Sequence, residues 1–188
     1  MIPQVLAGDR VLLDRPVKAD IDAITAACQD PLFERFLSTP WPYERRHAEE
    51  FVREFVPGGW AADRELTWAI RRSGDPTLLG VIGHRRPASD IGYWLSSSAR
   101  GSGLMTEAVT LVAGALFTED PEAELIWECV AGNSASAAVA RRCGFAFTRT
   151  GPALPASRDG GHPECWHGVL RLGMLRVPQP GWPAEATA

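Results

Sequence analysis

The stretch Ala99-Arg100-Gly101-Ser102-Gly103-Leu104-Met105-Thr106-Glu107-Ala108 decides how this chain is read. In front of it stands Asp90-Ile91-Gly92-Tyr93-Trp94-Leu95, a strand-like run, and a long apolar helical pattern begins inside it. Glycines between a strand and a helix start leave the first backbone N–H groups of the helix bare and aimed at one spot. That arrangement suits a phosphate or pyrophosphate. The turn is not a Walker loop, since no Lys follows the second Gly and the four-residue gap is missing. It is not a dinucleotide fingerprint either, because Thr106 stands where the third Gly would be. Taken alone, it fits an ordinary strand-to-helix turn equally well.

A second unit follows. Leu125-Ile126-Trp127-Glu128-Cys129-Val130 reads as a strand, and Asn133 or Ser134 is a good N-cap for the next helix. Ala137, Ala140 and Arg141 follow at helical spacing, and Gly144 is a natural stop. If the two strands are parallel, both helix N-termini lie at the same end of the sheet. Plain capping accounts for Asn133 on its own. In the first helix Leu104, Ala108, Leu111, Val112, Ala115 and Leu116 share one face, so it is expected to be nearly enclosed. Glu107 in its first turn favours the helix dipole and reads as a helix-start residue rather than a catalytic carboxylate.

Together these residues resemble the GNAT family of acyl-CoA N-acyltransferases. Its pyrophosphate motif is Arg or Gln, two residues, Gly, one residue, then Gly or Ala. Here it is matched by Arg100-Gly101-Ser102-Gly103-Leu104-Met105, with Met in the last place. Asn133-x-x-Ser136 with Arg142-Cys143-Gly144-Phe145 looks like the second cofactor motif. Pro40-Trp41-Pro42-Tyr43 and Ile91–Leu95 look like the RimJ/RimL-like branch that acetylates the N-terminal alanine of ribosomal proteins. The resemblance runs from about Asp9 to Met174. It implies an α+β (mixed α/β) fold: a mostly antiparallel twisted sheet of six to seven strands with flanking helices, whose fourth and fifth strands form a splayed parallel pair.

The elements can be placed along the chain. Arg10–Arg15 reads as a first strand, and Lys18–Leu37 and Glu44–Val56 carry helical spacing. Glu65–Arg72 and Leu78–Arg86 read as antiparallel strands joined at Ser73-Gly74-Asp75-Pro76, and Phe147–Gly151 and Glu164–Met174 as a last pair. Between that pair, Pro152–Pro163 is a long Gly/Pro loop of the kind that covers a site. Residues 1–176 read as one acyltransferase domain, and the Pro/Ala-rich segment 177–188 as a disordered tail.

Composition fits this reading. At 188 residues and 45% hydrophobic, the chain can bury a core without metals or disulfides. A net charge of −4 argues against general affinity for nucleic acid or an anionic membrane. No long apolar run or leader-like start is visible, so a cytoplasmic location is expected. Cys28, Cys129, Cys143 and Cys165 form no CxxC pair and stand beside no His cluster. Free thiols, with Cys143 filling core space, are therefore expected, and no metal.

The resemblance further implies an acetyl-CoA co-substrate and attack by an amine acceptor on its thioester. It places Trp94, Leu95, Ser96, Arg100, Gly101, Ser102, Gly103, Leu104, Met105, Thr106, Asn133 and Ser136 at the cofactor. A backbone N–H near Trp94 or Leu95 would hold the oxyanion, Asn133 the pantetheine arm, and Ser136 would protonate the departing sulfur. Glu65 matches the place where a carboxylate acts in some branch members, with His84 and Glu128 as further candidates for the base. Trp41, Tyr43, Trp60, Trp68 and His84 are the acceptor-side candidates, with Pro152–Pro163 as a lid. A homodimer is compatible with the resemblance. Two alternatives stay open: a non-catalytic acyl-CoA-binding protein, and an enzyme using a longer acyl donor.

Overall fold

The computed structural model describes residues 4–154 and 157–187. Eight strands form one sheet: β1 (Leu6–Ala7), β2 (Val11–Asp14), β3 (Glu65–Arg72), β4 (Gly80–Arg85), β5 (Asp90–Leu95), β6 (Leu125–Val130), β7 (Ala146–Pro152) and β8 (Glu164–Leu170). Their order is β1-β2-β3-β4-β5-β6-β8-β7. Every pairing is antiparallel except β5 with β6. The strand beyond the expected seven is β1, a two-residue edge piece too short to leave an alternation in the sequence.

The helices are α1 (Ile21–Ala27), α2 (Pro31–Phe36), α3 (Arg45–Glu50), α4 (Val56–Ala61), α5 (Leu104–Glu119) and α6 (Ser134–Cys143). The run Lys18–Leu37, read as one helical stretch, divides at Asp30-Pro31. The residue before a proline is driven out of the helical region, and Asp30 is extended and caps α2 by accepting from Leu32 N–H at 2.9 Å. The second helical run passes its expected end at Val56. A π-helical turn, Phe51–Phe55, joins α3 to α4. Its i→i−5 bond from Val56 N–H to the Phe51 carbonyl shifts the register in front of Pro57, which lacks the N–H a regular helix would use.

The two faces of the sheet are covered by different helices. Leu66, Trp68, Ile70, Ile82, Ile91, Leu125 and Trp127 pack with α5 and α6 in the larger core. Ala69 and Val81 face Ile21, Ile24, Phe33, Tyr43 and Val52 of the α1–α3 layer. Because β3 is covered on both sides, it carries six consecutive buried residues. Among them Arg71 is held by Asp20 and Asp14 at 2.8 Å, the pairing a buried guanidinium requires.

The segment after Arg176 is not a free tail. The Trp182 ring lies 5.6 Å from that of Trp127 and 5.8 Å from that of Phe147. Ala186 is buried, and its carbonyl accepts from Arg141 at 3.4 Å. One aromatic side chain and a hydrogen bond to α6 outweigh the Pro/Ala composition that suggested disorder. All four cysteines are free and buried. Among the described residues no helix is long and apolar enough to cross a membrane.

Candidate active site

The parallel ladder between β5 and β6 holds only two pairs, Asp90 with Ile126 and Ile91 with Trp127. Beyond them the strands part, and Tyr93, Trp94 and Leu95 line a cleft of 660 Å³. The rest of its wall is the turn before α5, the start of α6, and the α2 side chains Leu32, Phe33 and Phe36. Gly101 and Gly103 have φ of 73° and 80°, the left-handed region that costs a side chain about 1–2 kcal/mol. Gly103 caps α5 with no side chain over the helix end, so the N–H groups of Leu104, Met105 and Thr106 open toward the cleft. At α6 the Asn133 side chain accepts from Ser136 N–H at 3.2 Å.

The turn is braced from behind. Glu107 accepts from Arg10 N–H at 2.8 Å, Val11 N–H at 3.2 Å and the Arg10 guanidinium at 3.0 Å. Arg10 also donates to the Ser102 carbonyl at 3.0 Å. In front, Arg100 pairs with Asp30 at 2.8 Å and donates to the Leu95 carbonyl at 3.3 Å. The same Asp30 that caps α2 therefore ties that helix to the turn.

Of the expected cofactor residues, Trp94, Leu95, Arg100, Gly101, Gly103, Met105, Thr106, Asn133 and Ser136 line the cleft. Leu104 does not, because its side chain is fully buried under the turn. The Ser102 hydroxyl turns back to the Ala99 carbonyl at 2.6 Å, and Ser96 N–H is spent on the Leu79 carbonyl at 2.8 Å. Ser136 has partners that the sequence reading missed. Its hydroxyl donates to the Tyr93 oxygen at 3.1 Å and accepts from the Trp127 indole N–H at 3.2 Å. Burial pushes the Tyr93 phenol far above its ordinary range, so it stays protonated. Strand alternation was the available signal, since it places Tyr93 opposite to Trp94 and on the side of Ile91.

The acceptor-side candidates scatter. Tyr43 is buried in the smaller core with its ring 5.3 Å from His47. Trp68 is buried against Trp60 at 5.1 Å, with its N–H on the Gln4 carbonyl at 2.7 Å. His84 is buried on the α5 face, between Leu66 and Ile91 in the ladder. These three and Trp60 are core side chains, as large aromatic rings usually are. Trp41 is half-buried against the smaller core and lines neither cavity described here. Glu65 lines a second cavity, of 730 Å³, together with Phe55, Arg85, Asp90 and Leu154. Burial raises its carboxyl, while Arg85 acts in the opposite direction.

Glu128 lies on the same face of the sheet. It accepts from Leu154 N–H at 3.0 Å and sits 3.4 Å from the His167 ring, and burial raises its carboxyl too. The loop expected as a lid, of which residues 155 and 156 lie outside the described residues, is fastened across to α2. Arg158 donates to the Thr39 carbonyl at 3.1 Å and to the Glu34 carbonyl.

The family model of the acetyltransferase (GNAT) domain matches residues 10–146. The chain belongs to the GNAT acetyltransferase family. No curated protein sequence matches it. Among solved structures, the GNAT chain is similar to a protein from Vibrio cholerae described as a putative ribosomal-protein-serine acetyltransferase. That match has 18% identity and a TM-score of 0.78, covering 91% of this chain and 99% of the other. It is similar to the microcin C7 self-immunity acetyltransferase MccE, solved with acetyl-CoA and AMP, at 18% identity and a TM-score of 0.74, covering 88% and 94%. It is also similar to RimL, the ribosomal L7/L12 alpha-N-protein acetyltransferase, solved with coenzyme A, at 16% identity and a TM-score of 0.74, covering 89% and 98%. At these identities the likeness establishes the fold.

Proposed function

We propose that the protein is an N-acetyltransferase that moves an acetyl group from acetyl-CoA to a primary amine within a ternary complex. The observation that carries this reading is the cleft itself. An opened parallel strand pair and the bare N-terminus of α5 share one 660 Å³ space with Arg100 and Arg142. Backbone amides and two guanidinium groups suit a diphosphate. The freed edge of β5 suits a pantetheine arm, and the two similar structures solved with acetyl-CoA or coenzyme A support the assignment.

In the reaction the amine nitrogen bonds to the thioester carbon as the carbon–sulfur bond breaks. The amine sheds a proton and the thiolate gains one. Free N–H groups on β5 near Trp94 would hold the oxyanion. Ser136 would turn its O–H from Tyr93 to the sulfur, while the Trp127 N–H keeps its grip on the same oxygen. Glu65, in the second cavity, would take the amine proton. Its burial-raised carboxyl is a better base near neutral pH than an exposed glutamate. Asn133 supports Ser136 through its bond to Ser136 N–H.

Two measurements test the proposal. Calorimetry with coenzyme A should show binding that Gly103→Ala weakens. Thiol release from acetyl-CoA should depend on an added amine. Binding without amine-dependent release would mark a non-catalytic acyl-CoA-binding protein, and absence of binding would overturn the proposal.

A further inference from the structure

The second cavity carries information about the acceptor, given that the cleft holds the acyl donor as proposed above. Trp94 lines the cleft and Asp90 lines the cavity. They stand on one face of β5 with Gly92 between them, each roughly 7 Å from Gly92 along the strand. Gly92 is exposed, pairs with Gly83 of β4, and a Cβ built on it would meet nothing within 4 Å. The two glycines thus form a bare strip, with no side chain between Trp94 at the cleft and Asp90 at the cavity. Above Gly83, a built Cβ would lie 3.5 Å from Glu65 Oε1 and 3.7 Å from Thr67 Oγ1. Thr67 is 2% exposed, and its hydroxyl has no hydrogen-bond partner. A buried hydroxyl without a partner is costly, and this one lies closed off against Gly83 and beside Glu65.

The charges around the strip are unequal. Arg85 is committed to Asp90, with its Nε 2.9 Å from both carboxylate oxygens. Glu65 makes no ion pair among the described residues, so an unpaired carboxylate remains at the strip. Exposed Glu54 and Arg64 also line the cavity, so its lining carries three carboxylates against two guanidinium groups. Phe55 and Leu154, 49% and 60% exposed, are two of the few large apolar side chains left open to solvent, and both line this cavity.

We infer that the acceptor is a small primary amine, cationic at one end and apolar and uncharged along its body. Its ammonium group meets Glu65 beside the strip, and its apolar body lies against Phe55 and Leu154. An acceptor with an α-carboxylate would set that anion beside Glu65 and Asp90. A peptide N-terminus would have to place polar backbone groups against the two apolar side chains.

The test uses phenethylamine, phenylalanine and a short alanine-initiated peptide, with the protein saturated with coenzyme A for calorimetry and with acetyl-CoA for turnover. Phenethylamine should bind, and should be acetylated with a kcat/KM at least about tenfold above either competitor. Glu65→Gln should weaken its binding about tenfold. Phe55→Ser with Leu154→Ser should weaken it about fivefold, while coenzyme A affinity stays unchanged in both. Binding is read separately from turnover. Phenethylamine that binds but is not acetylated therefore removes the catalytic proposal and keeps the inference. Preferred acetylation of the peptide or of phenylalanine, or phenethylamine binding indifferent to Glu65, overturns the inference and leaves the enzyme reading intact.

Discussion

Tyr93 and Ser136 are joined twice across the gap between β5 and α6. The Tyr93 hydroxyl donates to the Ser136 carbonyl at 3.1 Å, and the Ser136 hydroxyl donates back to Tyr93 at 3.1 Å. With the Trp127 indole on the same Ser136 oxygen, the serine rotor is held where the strands part. Removing the proton donor should differ from removing its holder. Ser136→Ala should lower kcat about a hundredfold with little change in the KM for acetyl-CoA. Tyr93→Phe should lower kcat about fivefold and cost about 1 kcal/mol of stability through the lost bond to the Ser136 carbonyl. Steady-state kinetics with thermal melts check both. Equal rates for Ser136→Ala and wild type would remove Ser136 from the chemistry.

Asp30 faces Arg100 across the cleft mouth and competes with any anion for that guanidinium. Asn caps a helix as well as Asp does, so Asp30→Asn should keep α2 while releasing Arg100. Coenzyme A should then bind about threefold tighter at low salt. The gain should shrink as salt screens the groups. Calorimetry at two ionic strengths measures it, and weaker binding would show that Asp30 positions Arg100 instead of opposing the ligand.

His84 is 4% exposed, and its Nε2 has no hydrogen-bond partner. Burial, then Arg86, holds its imidazole below the ordinary value, with Asp90 and Glu119 acting the other way. The folded state therefore binds the proton less readily than the unfolded chain. Stability from this site is full above the unfolded value of about 6.5 and is lost as pH falls below it, by up to about 1.4 kcal/mol per pH unit. His84→Phe should flatten the melting temperature between pH 5 and 7. A profile as steep as that of the wild type would assign the acid sensitivity to other groups.

Trp182 covers Trp127, which in turn holds Ser136. Deleting residues 177–188 should lower stability by about 2–3 kcal/mol. It should also reduce kcat modestly, because the Trp127 ring loses a neighbour. Trp182→Phe should recover most of both, since the contact is one of packing. Chemical denaturation and turnover measure this, and an unchanged midpoint would show that the docked segment adds nothing to the core.

The site was only partly legible in sequence. Gly101 and Gly103 were readable because a left-handed turn before a helix is written in adjacent residues. Asn133 was readable because a cap acts three residues ahead. Trp68, Tyr43 and His84 were misplaced for one shared reason. An aromatic ring or imidazole looks the same in sequence whether the surface it faces is covered or open, and here helices cover all three, on the strands for Trp68 and His84 and in the loop before α3 for Tyr43. Trp182 hid in a Pro/Ala-rich segment for the opposite reason: a single large ring outweighs its neighbours' composition.

By itself, then, the sequence determined the two strand–turn–helix units, the bare start of α5 and the capped start of α6. Each depends on backbone preferences and hydrogen bonds spanning a few residues. Tertiary structure alone decided that Tyr93 and Trp127 converge on Ser136, and that Glu65, Phe55 and Leu154 surround a second cavity. Those relationships follow from strand register and from which helix lies over which face. Local propensity does not encode either of them.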